Sequence, residues 1–211
     1  MNYQLNSIQE EILVGILLGD ASLERGKSTY NTRLRIEQSL ESHKAYLYFL
    51  YSFFIDMTKT PPASPSRNPD KRTGKVYNSI KFQTLSFPCL NKFYELFYNN
   101  NIKIVPVNIA ELLTARSLAF WIADDGGKSF YGQTILHTNS FTFAEIELLQ
   151  AALLTNFNLR TRVEEKRPGQ WIIIIPVKQE TSLADIVKPF MPESMMYKLH
   201  LPKEENTSDS E

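Results

Sequence analysis

The sequence predicts an α+β fold in which one αββαββα unit occurs twice along the chain. Segments with apolar residues at helical spacing alternate with segments whose apolar residues recur at every second position. Two apolar segments, 13–21 and 118–126, resemble each other, and each contains an aspartate beside a small residue. These aspartates, Asp20 and Asp125, lie 105 positions apart in a chain of 211 residues. An offset of half the chain indicates an internal duplication.

Six segments have the apolar spacing and the length of helices. They are residues 8–19, 41–56, 88–100, 116–125, 142–156 and 180–190. Thr142 and Glu145 have the spacing of a capping box at the start of the fifth helix, and the second could be capped by Ser39 or Ser42. These residues predict where two of the helices begin.

Strands are predicted between the helices, where charged and apolar side chains alternate with a period of two. In the first of these strands, Arg33 and Arg35 point to one face and Leu34 points to the other. The same alternation recurs in two later segments, 80–83 and 159–164. Each strand therefore has an apolar face for a core and a polar, mostly basic face for solvent or a partner.

The domain boundaries follow from the duplication. Residues 1–101 are predicted to form the first repeat, 102–115 a linker and 116–202 the second repeat. The segment 58–75 contains four prolines and predicts an exposed loop within the first repeat. The polar, acidic segment 203–211 predicts a frayed tail.

The composition, with 43% hydrophobic and 22% charged residues, is that of a folded soluble protein and excludes global disorder. The longest strongly apolar stretch, 45–55, is too short to span a bilayer, and the N-terminus lacks the pattern of a secretion signal. The single cysteine cannot form an internal disulfide, and the three histidines lack the spacing of zinc ligands. We therefore expect no membrane insertion, no secretion and no structural zinc.

The net charge is zero, from 23 basic and 23 acidic residues, so a uniformly positive surface is excluded. The charges are nevertheless unevenly distributed along the sequence. Four segments, 25–38, 59–81, 126–141 and 158–178, have net charges of +3, +5, +1 and +3, and the rest of the chain has −12. Because these segments contain the predicted strands, the basic strand faces suit a polyanion such as a nucleic acid.

The two apolar helices that end at Asp20 and Asp125 have features of a metal site. Each carries a pair of small residues four positions apart, so the two helices can pack closely and in parallel. The pairs are Gly15 with Gly19 and Ala119 with Ala123. Helix C-termini disfavour negative charge and adjacent carboxylates repel each other, so we expect a divalent cation between them. Each aspartate alone could simply begin a turn, but its recurrence in both repeats argues against this alternative.

Both motifs resemble the signature of the LAGLIDADG homing endonucleases in their single-chain, two-repeat form, and the resemblance covers residues 8–201. It is closest to the monomeric subgroup encoded in mitochondrial introns, through the blocks 117–128, 140–143 and 195–199. The chain departs from the family at Phe120, where the family often has glycine. This departure affects helix packing more than catalysis, because the terminal aspartate is present in both motifs.

The resemblance implies two αββαββα halves whose strands form a saddle over double-stranded DNA, with the paired motif helices at its centre. It also implies hydrolysis of both DNA strands with Mg²⁺, or Mn²⁺, as cofactor. Asp20 and Asp125 would be the metal ligands and catalytic acids, one in each active site. The backbone carbonyls of Gly19 and Asp124 would complete the metal shells, and the side chain of Asp124 is expected to face solvent or to cap the turn.

The resemblance further implies a basic residue near each active site, and Lys103 and Lys198 match those positions. The polar strand faces would contact DNA bases, and the proline-rich loop 58–75 would contact flanking phosphates. The predicted DNA-binding residues are Arg33, Arg35, Lys81, Gln83, Lys128, Arg160 and Arg162. The outer face of a strand is often charged in any protein, so charge alone does not indicate DNA binding. The argument for DNA is that the excess charge in these segments is positive.

Two other functions remain open at this point. Some members of the family assist the splicing of their host intron RNA, so an RNA maturase is the nearest alternative. A non-catalytic DNA-binding protein of the same fold is the other. Retention of both aspartates favours a nuclease, which we expect to act as a monomer. Such a protein is expected in the matrix of an organelle, mitochondrion or chloroplast, or in a prokaryotic cytoplasm.

Overall fold

The computed structural model describes residues 3–66 and 68–201 and has a mixed α/β architecture. Its helices and strands in chain order are α1 (Ser7–Leu18), β1 (Ser22–Glu24), β2 (Arg33–Ser39), α2 (Lys44–Phe54), β3 (Ser79–Gln83), α3 (Asn91–Phe97), β4 (Tyr98–Asn99), β5 (Ile102–Lys103), α4 (Ile109–Leu112), α5 (Ala115–Asp125), β6 (Gly126–Lys128), β7 (Thr134–Leu136), α6 (Phe143–Phe157), β8 (Arg162–Arg167), β9 (Gln170–Ile175) and α7 (Leu183–Val187). Short 3-10 helices add Ile55–Met57, Pro88–Leu90 and Glu193–Lys198. The predicted tail, 203–211, lies outside the described residues, as does Arg67 of the basic segment 59–81.

Each repeat contains one antiparallel sheet. The first sheet has the strand order β1-β2-β3 and the second β6-β7-β9-β8, while β4 and β5 form a separate hairpin. The second repeat therefore matches the predicted unit. In the first repeat, the place of a fourth strand beside β3 is taken by isolated antiparallel bridges, Ala63 with Lys81 and Thr58 with Thr84. The prolines of the segment 58–75 account for this, because proline has no N–H to donate to a strand ladder.

The helices of the two central motifs and the fifth predicted helix are confirmed to within one residue at their ends. The capping box of α6 is present, since the side chains of Thr142 and Glu145 each accept a hydrogen bond from the other's backbone N–H. The prediction that Ser39 or Ser42 caps the second helix is wrong. That helix, α2, begins after His43, whose side chain makes no capping hydrogen bond.

Two other predicted helices are shorter than expected. The segment 88–100 leaves the helical conformation after Phe97, because Asn100 and Asn101 adopt positive φ angles of 49° and 65° and turn the chain from β4 into β5. The segment 180–190 contains only the short helix α7. The predicted linker contains β5 and α4, two elements that the sequence patterns did not indicate.

The strand register places the polar residues of the first repeat on one face. Arg35 lies opposite Gln83, and Glu37 lies opposite Lys81. Directly opposed residues of antiparallel strands point to the same side of the sheet. The alternate positions of β2 are buried on the other side, Leu34 among them, so this strand has the two distinct faces that its alternation predicts.

The central helices α1 and α5 pack against each other in parallel. A Cβ atom on Gly15 would lie 2.9 Å from the Cβ atom of Phe120, and one on Gly19 would lie 2.4 Å from that of Asp124. The duplication makes each glycine equivalent to its partner on α5, so a glycine faces a larger residue in both pairs. The glycines of α1 therefore allow the close approach of the two helices. The atoms nearest to these glycines belong to other residues of α5 than its alanine pair.

The core lies around these two helices and continues beneath both sheets. Most of α1 and α5 is buried, and Ile12, Ile16, Leu17 and Ile122 have no exposed surface. Burial of an aliphatic side chain of this size stabilises a fold by about 1.5–3 kcal/mol, so the helix pair forms a rigid base for the residues at its ends. Over the described residues, no helix combines the length and the apolar character needed to cross a bilayer.

Candidate active site

Asp20 and Asp125 lie at the same end of the parallel helix pair. Asp20 follows α1 after the capping residue Gly19, and Asp125 is the last residue of α5. Burial and the charge of Asp20 raise the pKa of Asp125 to about 7, although the positive charges of Lys103 and Lys198 act in the opposite direction. Two carboxylates and two ammonium groups therefore lie close together at the junction of the repeats.

The two lysines occupy equivalent positions at the ends of the two helices. Lys103 Nζ donates hydrogen bonds to the backbone oxygens of Gly19 and Ala21, at 2.8 and 2.7 Å. Lys198 Nζ donates to those of Ala123 and Asp124, at 2.6 and 2.8 Å. A cation at a helix C-terminus compensates the negative end of the helix dipole. Burial lowers the pKa of both lysines, while the three nearby aspartates act to raise it.

Asp124 lies in the interface between the two helix ends, and the expectation that its side chain faces solvent is wrong. The residue is only 6% exposed. Its Oδ2 atom accepts a hydrogen bond from the backbone N–H of Asp20 at 3.1 Å, so it caps the turn of the other repeat. Parallel packing explains this contact, because Gly19 leaves room for the carboxyl group against the end of α1. Burial and the charge of Asp20 raise the pKa of Asp124 well above its usual value.

A glutamine that the sequence motifs did not indicate completes the contacts of Asp20. Gln38 Nε2, in β2, donates to Asp20 Oδ2 at 3.1 Å and to Asp124 Oδ1 at 3.4 Å. The alternation of β2 places Gln38 on the same buried face as Leu34 and Ile36. A polar residue on the apolar face of a strand was the feature of the sequence that could have identified it.

Two further side chains connect Gln38 with the second repeat. Gln38 Oε1 lies 2.9 Å from His43 Nδ1, and His43 Nε2 lies 3.2 Å from the hydroxyl group of Tyr197. Tyr197 directly precedes Lys198 in the 3-10 helix near the end of the described chain. Burial, followed by the charge of Lys198, lowers the pKa of His43. Neither His43 nor Tyr197 was predicted from the sequence as part of the site.

The oxygen atoms at this junction suit a hard divalent cation. Carboxylates such as those of Asp20 and Asp125 are ligands that Mg²⁺ prefers. The carbonyl oxygens of Gly19 and Asp124 already accept hydrogen bonds from positively charged lysines, and a carbonyl oxygen has two lone pairs. These donors therefore fit a cation. Within residues 3–66 and 68–201, no group of three or more His, Cys, Asp or Glu side chains is arranged to hold a metal ion.

In the first repeat, acidic residues balance the charges of the predicted DNA-binding arginines. Arg33 and Arg35 form ion pairs with Glu24, at 2.6 and 3.2 Å, and Arg35 also pairs with Glu37 at 2.7 Å. Partial burial acts to raise the pKa of Glu24, but the hydrogen bonds and charges of the two arginines lower it overall. The polar face of this sheet therefore carries paired charges of both signs.

In the second repeat, the corresponding face is largely aliphatic. Arg162 lies opposite Ile174, which lies opposite Ile135, so these side chains share one face of the sheet. Lys128 is one position out of phase with them and lies on the other face. Arg160 precedes β8, so its predicted place within a strand is wrong. The structure therefore brings only Arg162 of the three basic residues to this face.

Comparison with known proteins identifies the family. The model of the LAGLIDADG DNA endonuclease family matches residues 10–183. The cytochrome b mRNA maturase bI2 of Debaryomyces hansenii is 32% identical, over 94% of this chain and 76% of that protein. The probable intron-encoded endonuclease 1 of Wickerhamomyces canadensis is 31% identical, over 92% of this chain and 85% of that protein.

A solved structure agrees with the fold over both repeats. The homing endonuclease I-WcaI bound to its DNA recognition sequence matches with a TM-score of 0.86 at 30% identity, covering 94% of this chain and 88% of that one. This match confirms the predicted saddle-shaped fold of two repeats, and the prediction of a DNA endonuclease is confirmed together with it. The chain belongs to the LAGLIDADG DNA endonuclease family.

Proposed function

We propose that this endonuclease hydrolyses both strands of a long double-stranded DNA target and that Asp20 and Asp125 each act on one strand. The observation that carries this proposal is the junction of the repeats, where Lys103 and Lys198 are close enough to the two carboxylates to interact with them electrostatically. Cutting two strands requires two such centres, and the duplication contains both in one chain. A monomer is therefore sufficient. The DNA-bound relative I-WcaI supports the choice of duplex DNA as the substrate.

A divalent cation, Mg²⁺ or Mn²⁺, fits this junction. The carboxylates of Asp20 and Asp125 would hold it together with the backbone carbonyls of Gly19 and Asp124. When bound, such a cation polarises a phosphate oxygen and lowers the pKa of bound water. The family to which the chain belongs supports this cofactor, as do the oxygen donors at the two helix ends.

The two lysines are suited to contact the phosphate that is cut. A protonated lysine has three N–H donors, and Lys103 and Lys198 each use two of them on backbone carbonyls. The third N–H of each can donate to a phosphate oxygen. Charged donors that are fixed in place before the reaction stabilise the negative charge that develops on those oxygens. The backbone contacts thus position the lysines as well as compensate the helix ends.

The outer faces of the two sheets would hold the DNA on either side of the junction. Arg33, Arg35, Lys81 and Gln83 share the polar face of the first sheet, and Arg162 lies on the corresponding face of the second. Arginine and glutamine side chains can contact base edges in the major groove. Phosphate contacts by such residues would make binding strongly dependent on salt, with log affinity falling by about 0.9 per phosphate contacted for each unit of log salt.

An RNA maturase is the second candidate function, and one observation favours it. The relative from Debaryomyces hansenii is described as a cytochrome b mRNA maturase and matches 94% of this chain. Retention of both aspartates argues for the endonuclease and against a protein that only binds DNA. The intron-related names of the relatives also support a location in an organelle matrix or a prokaryotic cytoplasm.

Cleavage of a pool of randomised DNA duplexes in Mg²⁺, followed by sequencing of the ends, tests the proposal. We expect double-strand breaks with cohesive ends within one long sequence, and we expect EDTA to prevent them. The matched control carries Asp20→Asn and Asp125→Asn together and should bind the selected DNA without cutting it. Absence of cutting by the wild-type protein, with tight binding to an intron RNA, would instead support the maturase.

A further inference from the structure

A chain of hydrogen bonds passes through the buried Gln38 and joins the exposed residues Tyr197 and Asp20. It runs from Tyr197 to His43 Nε2 at 3.2 Å, from His43 Nδ1 to Gln38 Oε1 at 2.9 Å, and from Gln38 Nε2 to Asp20 Oδ2 at 3.1 Å. Tyr197 follows the second sheet in the chain, whereas the other three residues belong to the first repeat. The chain therefore links the two repeats next to one of the two carboxylates.

The direction of each hydrogen bond follows from the orientation of the Gln38 amide. The NH₂ group of Gln38 donates to both Asp20 Oδ2 and Asp124 Oδ1, so its carbonyl oxygen faces His43. Because that oxygen only accepts hydrogen bonds, His43 must carry a proton on Nδ1. In the neutral ring Nε2 is then an acceptor, and Tyr197 donates to it. The lowered pKa of His43 favours the neutral ring.

Among the residues that the structure describes, the second repeat has no equivalent of this chain. Arg35 and Ile135 are equivalent, because each pairs with the residue two positions after its catalytic aspartate, so Thr138 is the counterpart of Gln38. Thr138 is completely buried, and its hydroxyl group donates to the backbone oxygen of Trp171 at 2.9 Å. Across the described part of the chain, no side chain donates a hydrogen bond to the carboxylate of Asp125.

We propose that His43 and Tyr197 are positioning residues for the Asp20 active site. They hold the Gln38 amide in the one orientation that presents its NH₂ group to the Asp20 carboxylate. The DNA strand that is cut with Asp20 therefore depends on His43, and the strand that is cut with Asp125 does not. This inference rests on the proposed function, in which each aspartate acts on one strand.

The tautomer of His43 tests the direction of the chain without metal, DNA or activity. Nitrogen-15 NMR of the metal-free full chain distinguishes the two neutral imidazole tautomers. We expect a proton on Nδ1 of His43 in the wild-type protein. Gln38→Leu removes the acceptor, and the proton should then move to Nε2, while the signals of His137 remain as an internal reference. A wild-type His43 with its proton on Nε2 would overturn the proposed chain.

The rates at which the two strands are cut test the positioning role itself. A target duplex labelled on both strands reports each rate separately. His43→Ala should slow one strand by about 10- to 100-fold, the loss expected for a residue that orients a ligand, and should leave the other within about twofold. His43→Asn is the conservative control, because its amide nitrogen takes the place of Nδ1 and can donate to Gln38. This variant should recover most of the lost rate.

Folding and function are separated by two further measurements. If His43→Ala lowers the melting temperature, Tyr197→Phe removes only the outermost hydrogen bond and should slow the same strand by a smaller factor. Equal slowing of both strands, or no slowing of either, would overturn the proposal. A wild-type protein that cuts no DNA would contradict the proposed function, and the tautomer measurement would still decide whether the hydrogen-bonded chain exists.

Discussion

The two repeats place an aspartate at the same point of the fold but hold it in different ways. The carboxylate of Asp20 accepts a hydrogen bond from Gln38 Nε2, and the backbone N–H of Asp20 donates one to Asp124 Oδ2. For Asp125, burial and the charges of neighbouring residues determine the pKa of the carboxyl group. The sheets differ as well, since paired charges cover the outer face of the first and isoleucines much of the second. The duplicated backbone thus fixes where the chemistry occurs, while the side chains around it have diverged.

The largest expected effects come from the two aspartates. Asp20→Asn and Asp125→Asn should each lower double-strand cleavage below about a thousandth of the wild-type rate, as the loss of a catalytic group does, because an amide cannot carry the charge that holds a cation. DNA binding should persist. A plasmid that contains the target distinguishes nicked from linear products, and the two variants should nick opposite strands. Retained double-strand cutting by both variants would contradict the assignment.

The two lysines should have the next largest effect. Lys103→Met and Lys198→Met remove a fixed positive charge from the phosphate site, and each should slow cleavage by about 100-fold. Single-turnover rates on saturating DNA separate this effect from weaker binding. Lys92→Met is a matched control, because Lys92 forms an exposed ion pair with Glu10 away from the junction. A loss of similar size in the control would show that general charge, rather than position, matters.

Local patterns in the sequence predict a large part of this arrangement. Asp20 and Asp125 follow from the duplicated motif, and the shared face of Arg35 and Gln83 follows from the alternation of their strands. These features depend only on a motif that recurs along the chain and on periodicity within single strands. The loss of a fourth strand in the first repeat could also be expected, because the prolines of that segment cannot donate to a ladder.

Apart from the contacts that the duplicated motif implies, contacts between elements that are distant in sequence could not be predicted. His43 and Tyr197 are 154 residues apart and meet only in the folded chain. Asp124 has the local sequence of a turn residue, yet Gly19 on the other helix gives its side chain a buried position. The sequence patterns specify faces of helices and strands, whereas these contacts depend on which faces meet and how closely.

Asp125 should make the stability of the protein depend on pH. Its pKa in the folded protein, about 7, is higher than the ordinary value of 3.8. The folded state therefore binds this proton more tightly than the unfolded state does, and proton binding stabilises the fold. This stabilisation is complete below the ordinary pKa and is lost as the pH rises through 7. Asp125→Asn has no charge to bury and should be more stable than the wild type at pH 8 by a few kcal/mol, since one pKa unit corresponds to about 1.4 kcal/mol.

Thermal unfolding of the two metal-free proteins at several pH values measures this difference. The stabilisation by Asp125→Asn should be largest at pH 8 and should shrink as the pH falls below 7, because the wild-type carboxyl group becomes protonated there. Mg²⁺ at pH 8 should raise the melting temperature of the wild type more than that of the variant. An advantage of the variant that is the same at pH 5 and pH 8 would show that the charge of Asp125 is not its cause.

The smallest expected effects come from the outer faces of the sheets. Glu24→Gln frees Arg33 and removes one of the two ion pairs of Arg35, which keeps its pair with Glu37. The change should tighten DNA binding by about two- to fivefold, the range set by the strength of exposed pairs. Glu164→Gln releases only one lysine in the second repeat, so its effect should be smaller. Binding measured over a range of salt concentrations should also show a steeper dependence for Glu24→Gln, because the freed Arg33 can add a phosphate contact. Weaker binding by this variant would mean that Glu24 itself contacts a base, as a carboxylate does when it accepts from cytosine N4.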